Sequence, residues 1–268
     1  MSRLGESPTL KNPRGIMGIK QNALFTLALA ALCAACGSKD DEATPEAETF
    51  DAVPPAPFDP KNAYEPVVDA ADLSPEITNE WLPMPVGATW TTDAETDEGT
   101  EHTEITVQAE TRTTFGAEAL VVRDTVFLDG VILEDTDDWF AQDGDGNVWY
   151  LGEETTEYVD GVAGSTHGSW EAGVDGALPG VVMLAHPDVG HAYRQEFYEG
   201  EAEDYAIVRE LDVDVSIAAG DFTGCIKLEE RSVVEPDVKE FKYYCSGVGN
   251  VLVEEEDVTE ELTGSSLL

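Results

Sequence analysis

Basic residues are what this chain has least of, with 14 Lys and Arg against 56 Asp and Glu in 268 residues and a formal charge of −42. A field of that sign repels phosphate backbones and anionic headgroups, so nucleic-acid binding is excluded as a role. It favours divalent cations, basic partners, or plain solubility in salty surroundings. Long apolar runs are missing too. The longest, 23–35, is about 13 residues, short of the 18 or more needed to cross a membrane. Histidine is scarce, and His102, His167, His186 and His191 lack the close spacing of a helical metal site. Neither a G-x-S-x-G elbow nor an H-E-x-x-H helix occurs. His167 beside Ser169 is all that is left for a hydrolase acting on an envelope substrate, and 164–168 is a loop of mostly small residues where such pairings arise by chance.

The N-terminus carries a recognisable layout. Arg14 and Lys20 precede the apolar run, and Cys36-Gly37-Ser38 follow it, as in a signal peptide, with Met17 giving a start of ordinary length. Ala34 and Ala35 directly before Cys36 resemble the lipobox of bacterial lipoproteins, although Cys33 stands where that motif usually has Leu. The resemblance implies acylation of the Cys36 thiol and a membrane held through lipid alone. Gly37 in place of the Asp retention signal points to the outer membrane, facing the periplasm or the cell surface.

After this signal (1–36), residues 37–74 are rich in Asp, Glu, Ala and Pro and read as a flexible tether. Residues 75–268 supply apolar and aromatic residues enough for one core, with no internal repeat. The dominant period is two. Leu211, Val213, Val215 and Ile217 alternate with Asp212, Asp214 and Ser216, and Ile105, Val107 and Ala109 repeat the pattern. Asp129-Gly130, Asp145-Gly146 and Asp160-Gly161 supply turn pairs. The expectation is an all-β fold, an antiparallel meander of about ten strands shaped as a half-barrel (β-clam) or a sandwich.

Ile77-Thr78-Asn79 with Trp81, Pro83, Gly87 and Trp90 resembles the opening motif of an uncharacterised secreted bacterial lipoprotein family. Further stretches extend the resemblance, among them Gly146-Asn147-Val148-Trp149-Tyr150, Gly168-Ser169-Trp170-Glu171-Ala172-Gly173-Val174-Asp175-Gly176-Ala177 and Gly200-Glu201-Ala202-Glu203-Asp204. It covers most of the domain and implies no activity, cofactor or partner.

Three local patterns name candidate sites. Asp143-Gly144-Asp145-Gly146-Asn147 has the look of a calcium loop, but with Gly146 central the first and twelfth positions fall on Ala141 and Gly152, so a hairpin turn is the reading. Export predicts a Cys225–Cys245 disulfide. Charge and apolar pattern prefer instead a register with Glu229 facing Lys242 and Arg231 facing Glu240, which puts the two sulfurs on opposite faces unless a bulge at Gly224 or Gly247 re-aims one. Finally, a tight turn at Asp129-Gly130 sets Asp124 opposite Asp135, with Asp137 on the same face and Arg123 on the other. Two facing carboxylates call for a cation, and calcium suits them, with Glu201, Glu203 or Asp204 as further ligands. These observations lead to the expectation of a non-enzymatic binding or structural lipoprotein of the envelope, taking a cation, a small ligand or an envelope protein as partner.

Overall fold

The structure, a computed structural model, describes residues 58–268; the signal, Cys36 and residues 37–57 lie outside the described residues. The chain forms β1 (Thr89–Thr96), β2 (Gly99–Thr114), β3 (Ala117–Leu128), β4 (Val131–Gln142) and β5 (Val148–Val159). Four short pieces follow, β6 (Val162–Ala163), β7 (Trp170–Glu171), β8 (Gly180–Met183) and β9 (Ala192–Arg194). The second run comprises β10 (Asp204–Ile217), β11 (Gly220–Ser232), β12 (Lys239–Cys245), β13 (Gly249–Glu255) and β14 (Val258–Ser265). All pair antiparallel in one open sheet, in the order β6-β5-β4-β3-β2-β1-β14-β13-β12-β11-β10-β9, with β7 and β8 added along β5. The all-β antiparallel fold is therefore as the period of two indicates, with fourteen strands, ten of them seven residues or longer, where about ten were expected. A single turn, Ala70–Asp72, is the helix among the described residues.

The hairpins follow from their Asp-Gly pairs. Asp129 and Gly130 have φ of 49° and 79°, Asp160 and Gly161 of 51° and 73°, the consecutive left-handed residues that a two-residue turn between twisted strands requires. The third pair works differently. The carboxylate of Asp143 accepts from Asp145 N (3.0 Å), Asn147 N (2.9 Å), Asn147 Nδ2 (2.9 Å) and Trp149 Nε1 (2.8 Å), so protein donors fill it and fix the β4–β5 turn.

Two registers depart from the sequence pattern. Between β11 and β12, Lys227 faces Tyr243 and Leu228 faces Lys242, one residue away from the register that charge suggests. Cys225 and Cys245 then meet across the ladder and form a disulfide, Cα atoms 4.2 Å apart. The charge argument fails because Lys242 turns inward, where its Nζ meets Glu230 at 2.8 Å and Glu240 at 3.4 Å. Between β3 and β4 a bulge falls after Val126, so Val126 faces Glu134, Thr125 faces Asp135 and Asp124 faces Thr136. The expected Asp124–Asp135 pair is corrected by that one extra residue, which sends alternate side chains to the other face.

The two outer ends of the sheet approach each other. Leu178 N donates to Phe197 O (2.8 Å) in an isolated bridge, and Gly180 lies so close to Gln195 that a Cβ on it would sit 2.0 Å from the Gln195 carbonyl oxygen. Residues 58–64 lie over this seam. Tyr64 Oη donates to Pro179 O (2.9 Å) and its ring meets Phe197 at 5.5 Å, Phe58 meets Tyr205 at 5.5 Å, and Arg194 donates to Pro60 O. Ser74 pairs with Gln142.

The seam geometry generates a test. Gly180→Ala forces a methyl into backbone and should lower stability by roughly 2 kcal/mol. Gly144→Ala, with nothing within 4 Å of its Cβ, should stay within about 0.5 kcal/mol of the parent. Urea unfolding of both variants measures the difference, and equal midpoints would contradict the packing described.

Candidate functional site

The six carboxylates read from sequence as calcium ligands do not converge. Asp124 is buried on the inner face, whereas Asp137 is exposed on the outer one. Asp135 takes a hydrogen bond from Arg123 Nε (2.7 Å) and another from Thr125 Oγ1 (3.1 Å). Arg123, expected to point away, thus neutralises it. Glu203 accepts from Gly200 N (2.9 Å) and from Arg194 (3.3 Å), Glu201 lies 3.8 Å from His167, and Asp204 is half-buried at the start of β10. Among the described residues no group of three or more His, Cys, Asp and Glu could hold a metal ion.

The hydrolase pair does not assemble either. Ser169 Oγ accepts from Thr155 N (2.9 Å) and donates to Thr155 O (3.3 Å), which engages the hydroxyl with backbone on both sides. His167 is directed at Glu201, His102 Nδ1 meets Asp93 at 2.5 Å, and His191 Nδ1 accepts from Asp188 N.

What the sequence did not disclose is a set of acids on the inner face, in phase with the core. Glu134, Thr136 and Asp138 share the face of Phe140 on β4, and all four are buried. Glu101 on β2, Glu153 on β5, Glu240 on β12 and Glu260 on β14 are buried likewise, against a single buried amine, Lys242. Burial in a low dielectric disfavours the charged form. It pushes Glu101 up to about 7, with Glu260, Glu134 and Glu255 adding repulsion. Glu260 rises to about 7 through burial, partly offset by the hydroxyl of Thr92, and Asp138 to about 7 through burial against the hydroxyl of Tyr150. Tyr150 Oη lies 2.5 Å from Asp138 and 3.1 Å from Glu153, whose pKa burial raises well above the usual carboxylate range. Tyr150 has one proton for two carboxyl partners, so a protonated Glu153 completes the trio.

A cleft of about 290 Å3 opens where β4, β5 and β7 meet the loop 172–178. Its walls are Trp139, Trp170 and Tyr198. Arg112 lies over the Trp139 ring, Cζ 3.7 Å from the centroid, and is held by Glu171 (2.9 Å) and Glu154 (3.3 Å). With Asp175 also on the wall, carboxylates outnumber the one guanidinium. The cleft therefore combines aromatic surface with a net negative rim, and its own Arg112 shows the geometry in which it holds a planar cation.

No protein-family model matches the chain, and no curated protein does. Among solved structures, a crystal structure described as that of "a putative lipoprotein from Parabacteroides distasonis" is similar at 12% identity, covering 70% of this chain and 99% of that one, with a TM-score of 0.39. At that score neither fold nor function transfers.

The interior acids set a pH dependence. Folding raises the pKa of Glu101 and Glu260 from the ordinary range to about 7, so the folded chain keeps protons that the unfolded chain has released. The stability these two groups contribute is complete below about pH 4 to 5 and is lost as pH rises through about 7. Urea midpoints should be higher at pH 5 than at pH 8. Because general charge repulsion acts in the same direction, a Glu101→Gln, Glu260→Gln variant should show a smaller difference. An unchanged difference would assign the effect to the surface.

Proposed function

We propose that this chain is an exported lipoprotein of the bacterial envelope, anchored through an acylated Cys36, whose β domain is a non-enzymatic binding module. The cleft beside β5 carries the binding half of this reading. Its volume lies at the lower end of small-molecule sites, its walls are aromatic, and a few polar groups converge on it. Negative charge in excess of Arg112 favours a small polar ligand that bears an amine or a guanidinium, which would share Glu154, Glu171 and Asp175 with Arg112. The Cys36 half rests on the signal layout and the small residues before the cysteine. Acyl-chain burial supplies the anchoring force, and two chains or more make it stable.

Each half has its own experiment. A Cys36→Ser variant should leave the membrane fraction or accumulate as precursor, and undiminished detergent partitioning would refute lipidation. For the cleft, arginine amide and putrescine serve as cationic probes and glucose as a neutral one, with tryptophan fluorescence of the mature chain as readout. The cations should perturb Trp139 and Trp170 at concentrations where glucose does not, and Glu154→Gln with Glu171→Gln should weaken the response about tenfold or more. Fluorescence indifferent to all three probes at 10 mM, roughly the weakest range in which a site of this size would be of use, would overturn the reading.

A further inference from the structure

Lys and Arg number only 14 in this chain, yet Arg209, Lys227, Arg231 and Lys239 gather on one outer face, that of β10, β11 and β12. Register explains the gathering. Tyr205, Arg231 and Lys239 form one row across the three strands, and Ile207, Glu229 and Phe241 form the next. Val208 pairs with Leu228 and Glu210 with Lys227, so Arg209 is the extra residue of a bulge, a device that re-aims a side chain. Its Nε donates to Glu229 Oε2 (2.8 Å), and Arg231 Nε donates to Glu229 Oε1. One buried carboxylate thus holds two guanidiniums side by side, one on each oxygen. We propose that Arg209, Arg231 and Lys239 form a binding site for a dianionic phosphate, free or as the monoester of a small molecule.

Charge and geometry both lead to that ligand. Glu229 balances one guanidinium and leaves the other, together with the Lys239 ammonium, as a surplus of two positive charges. Among the described residues Lys239 makes no ion pair, and its Nζ lies over the Phe241 ring, 4.9 Å from the centroid. Lys227 adds nothing to the surplus, because Glu254 meets it at 3.7 Å. The two guanidiniums are also used differently from the others. Arg112 and Arg194 bond through both terminal nitrogens, and Arg123 through Nε and one of them. Arg209 and Arg231 bond through Nε alone, which leaves the terminal N–H groups of both without a hydrogen-bond partner among the described residues. Both side chains reach solvent. Phosphate oxygens accept from two such forks at once, and the repulsion between two cations on one carboxylate is relieved by an anion they share.

The charge of the whole chain does not forbid this. At physiological salt, exposed charges more than about 8 Å apart are largely screened, so a small anion responds to the local surplus. A polyanion would reach further, and exposed acids wait for it in Glu210, next to Arg209, and Asp237, in the turn before Lys239. The ligand is therefore small. The site shares no residue with the cleft beside β5 and stands whether or not that cleft takes a cation.

Titration of the isotope-labelled, unacylated mature chain with inorganic phosphate at pH 7.5, at constant ionic strength with chloride as the exchanged anion, tests the site by nuclear magnetic resonance. The amide signals of Arg209, Arg231 and Lys239 should shift together and saturate with a Kd of about 1 mM or tighter. Arg209→Gln and Arg231→Gln should each weaken binding about tenfold, while Arg123→Gln, which removes a guanidinium held by Asp135, should leave it unchanged. Replacing Arg209 and Arg231 together by Lys keeps the charge and removes the forks, so that variant should bind about as poorly as either Gln variant. Should an Arg variant fail to fold, Lys239→Gln, at an exposed position, is read in the same way and should weaken binding about threefold. Signals that do not move by 10 mM phosphate would overturn the proposal, as would a Lys pair that binds as tightly as the parent. Capture of the chain on phosphatidylglycerol vesicles without any response to phosphate would overturn it too, assigning the face to a membrane.

Discussion

Because β1 pairs with β14, the first and last long strands of the domain lie side by side in the middle of the sheet. Each meander then runs outward from that shared ladder, and each ends at an edge that must be covered. The first ends on β5, where β7 and β8 add short lengths of strand; the last ends on β9, only three residues long. Shortness and cover are the usual means of blunting an exposed edge. Here the two edges also serve one another, through Leu178 and Phe197, with Phe58, Pro60 and Tyr64 laid across the join.

A sheet curled in this way encloses more inner face than apolar residues fill. One level of the interior is aromatic and aliphatic, with Phe140 stacked on Tyr150 at 4.9 Å and Trp90 donating to Val248 O. The other level is carboxylic, and among the described residues the buried cations set against it are Lys242 and Arg194. Carboxyls there take hydrogen bonds from Thr92, Tyr150 and Trp170, and burial favours their neutral form, because neutral partners satisfy an acid without the desolvation penalty of a buried charge. The acidity of the chain thus has two physical settings, carboxylates in water outside and, inside, carboxyls such as Glu101, Asp138 and Glu260 whose hold on the proton burial strengthens.

Much of the architecture was legible in the sequence, and particular residues show where legibility stopped. Asp129-Gly130 and Asp160-Gly161 announce their hairpins because few other pairs accept two left-handed residues in succession. Leu211 to Ile217 announces a strand and most of its buried face, with Val215 buried and Val213 and Ile217 packed against the core, but bulges in β10 leave Leu211 exposed and put Val208 inside. The same blindness to bulges put Asp124 opposite Asp135. The acids of the interior escaped for another reason: Glu134 and Asp138 are in phase with Phe140, yet a polar residue in an alternating strand is read as facing water. Conversely, Asn79, part of the motif that opens the domain, proves to be a bracket, accepting from Trp81 N and Leu82 N while donating to Gly146 O and Leu184 O.

Residues 58–74 also decide how the domain bears load. Tension in the chain upstream of Phe58 reaches the fold first at the Phe58–Tyr205 contact and the Tyr64–Pro179 hydrogen bond, both beside the seam, and only afterwards at β1 in the centre of the sheet. A pull there peels the overlying segment from the join one contact at a time, whereas the β1–β14 ladder lies downstream and is spared until that segment has come away. A tug from the N-terminal side therefore meets the join between the two sheet edges before it meets the centre of the sheet.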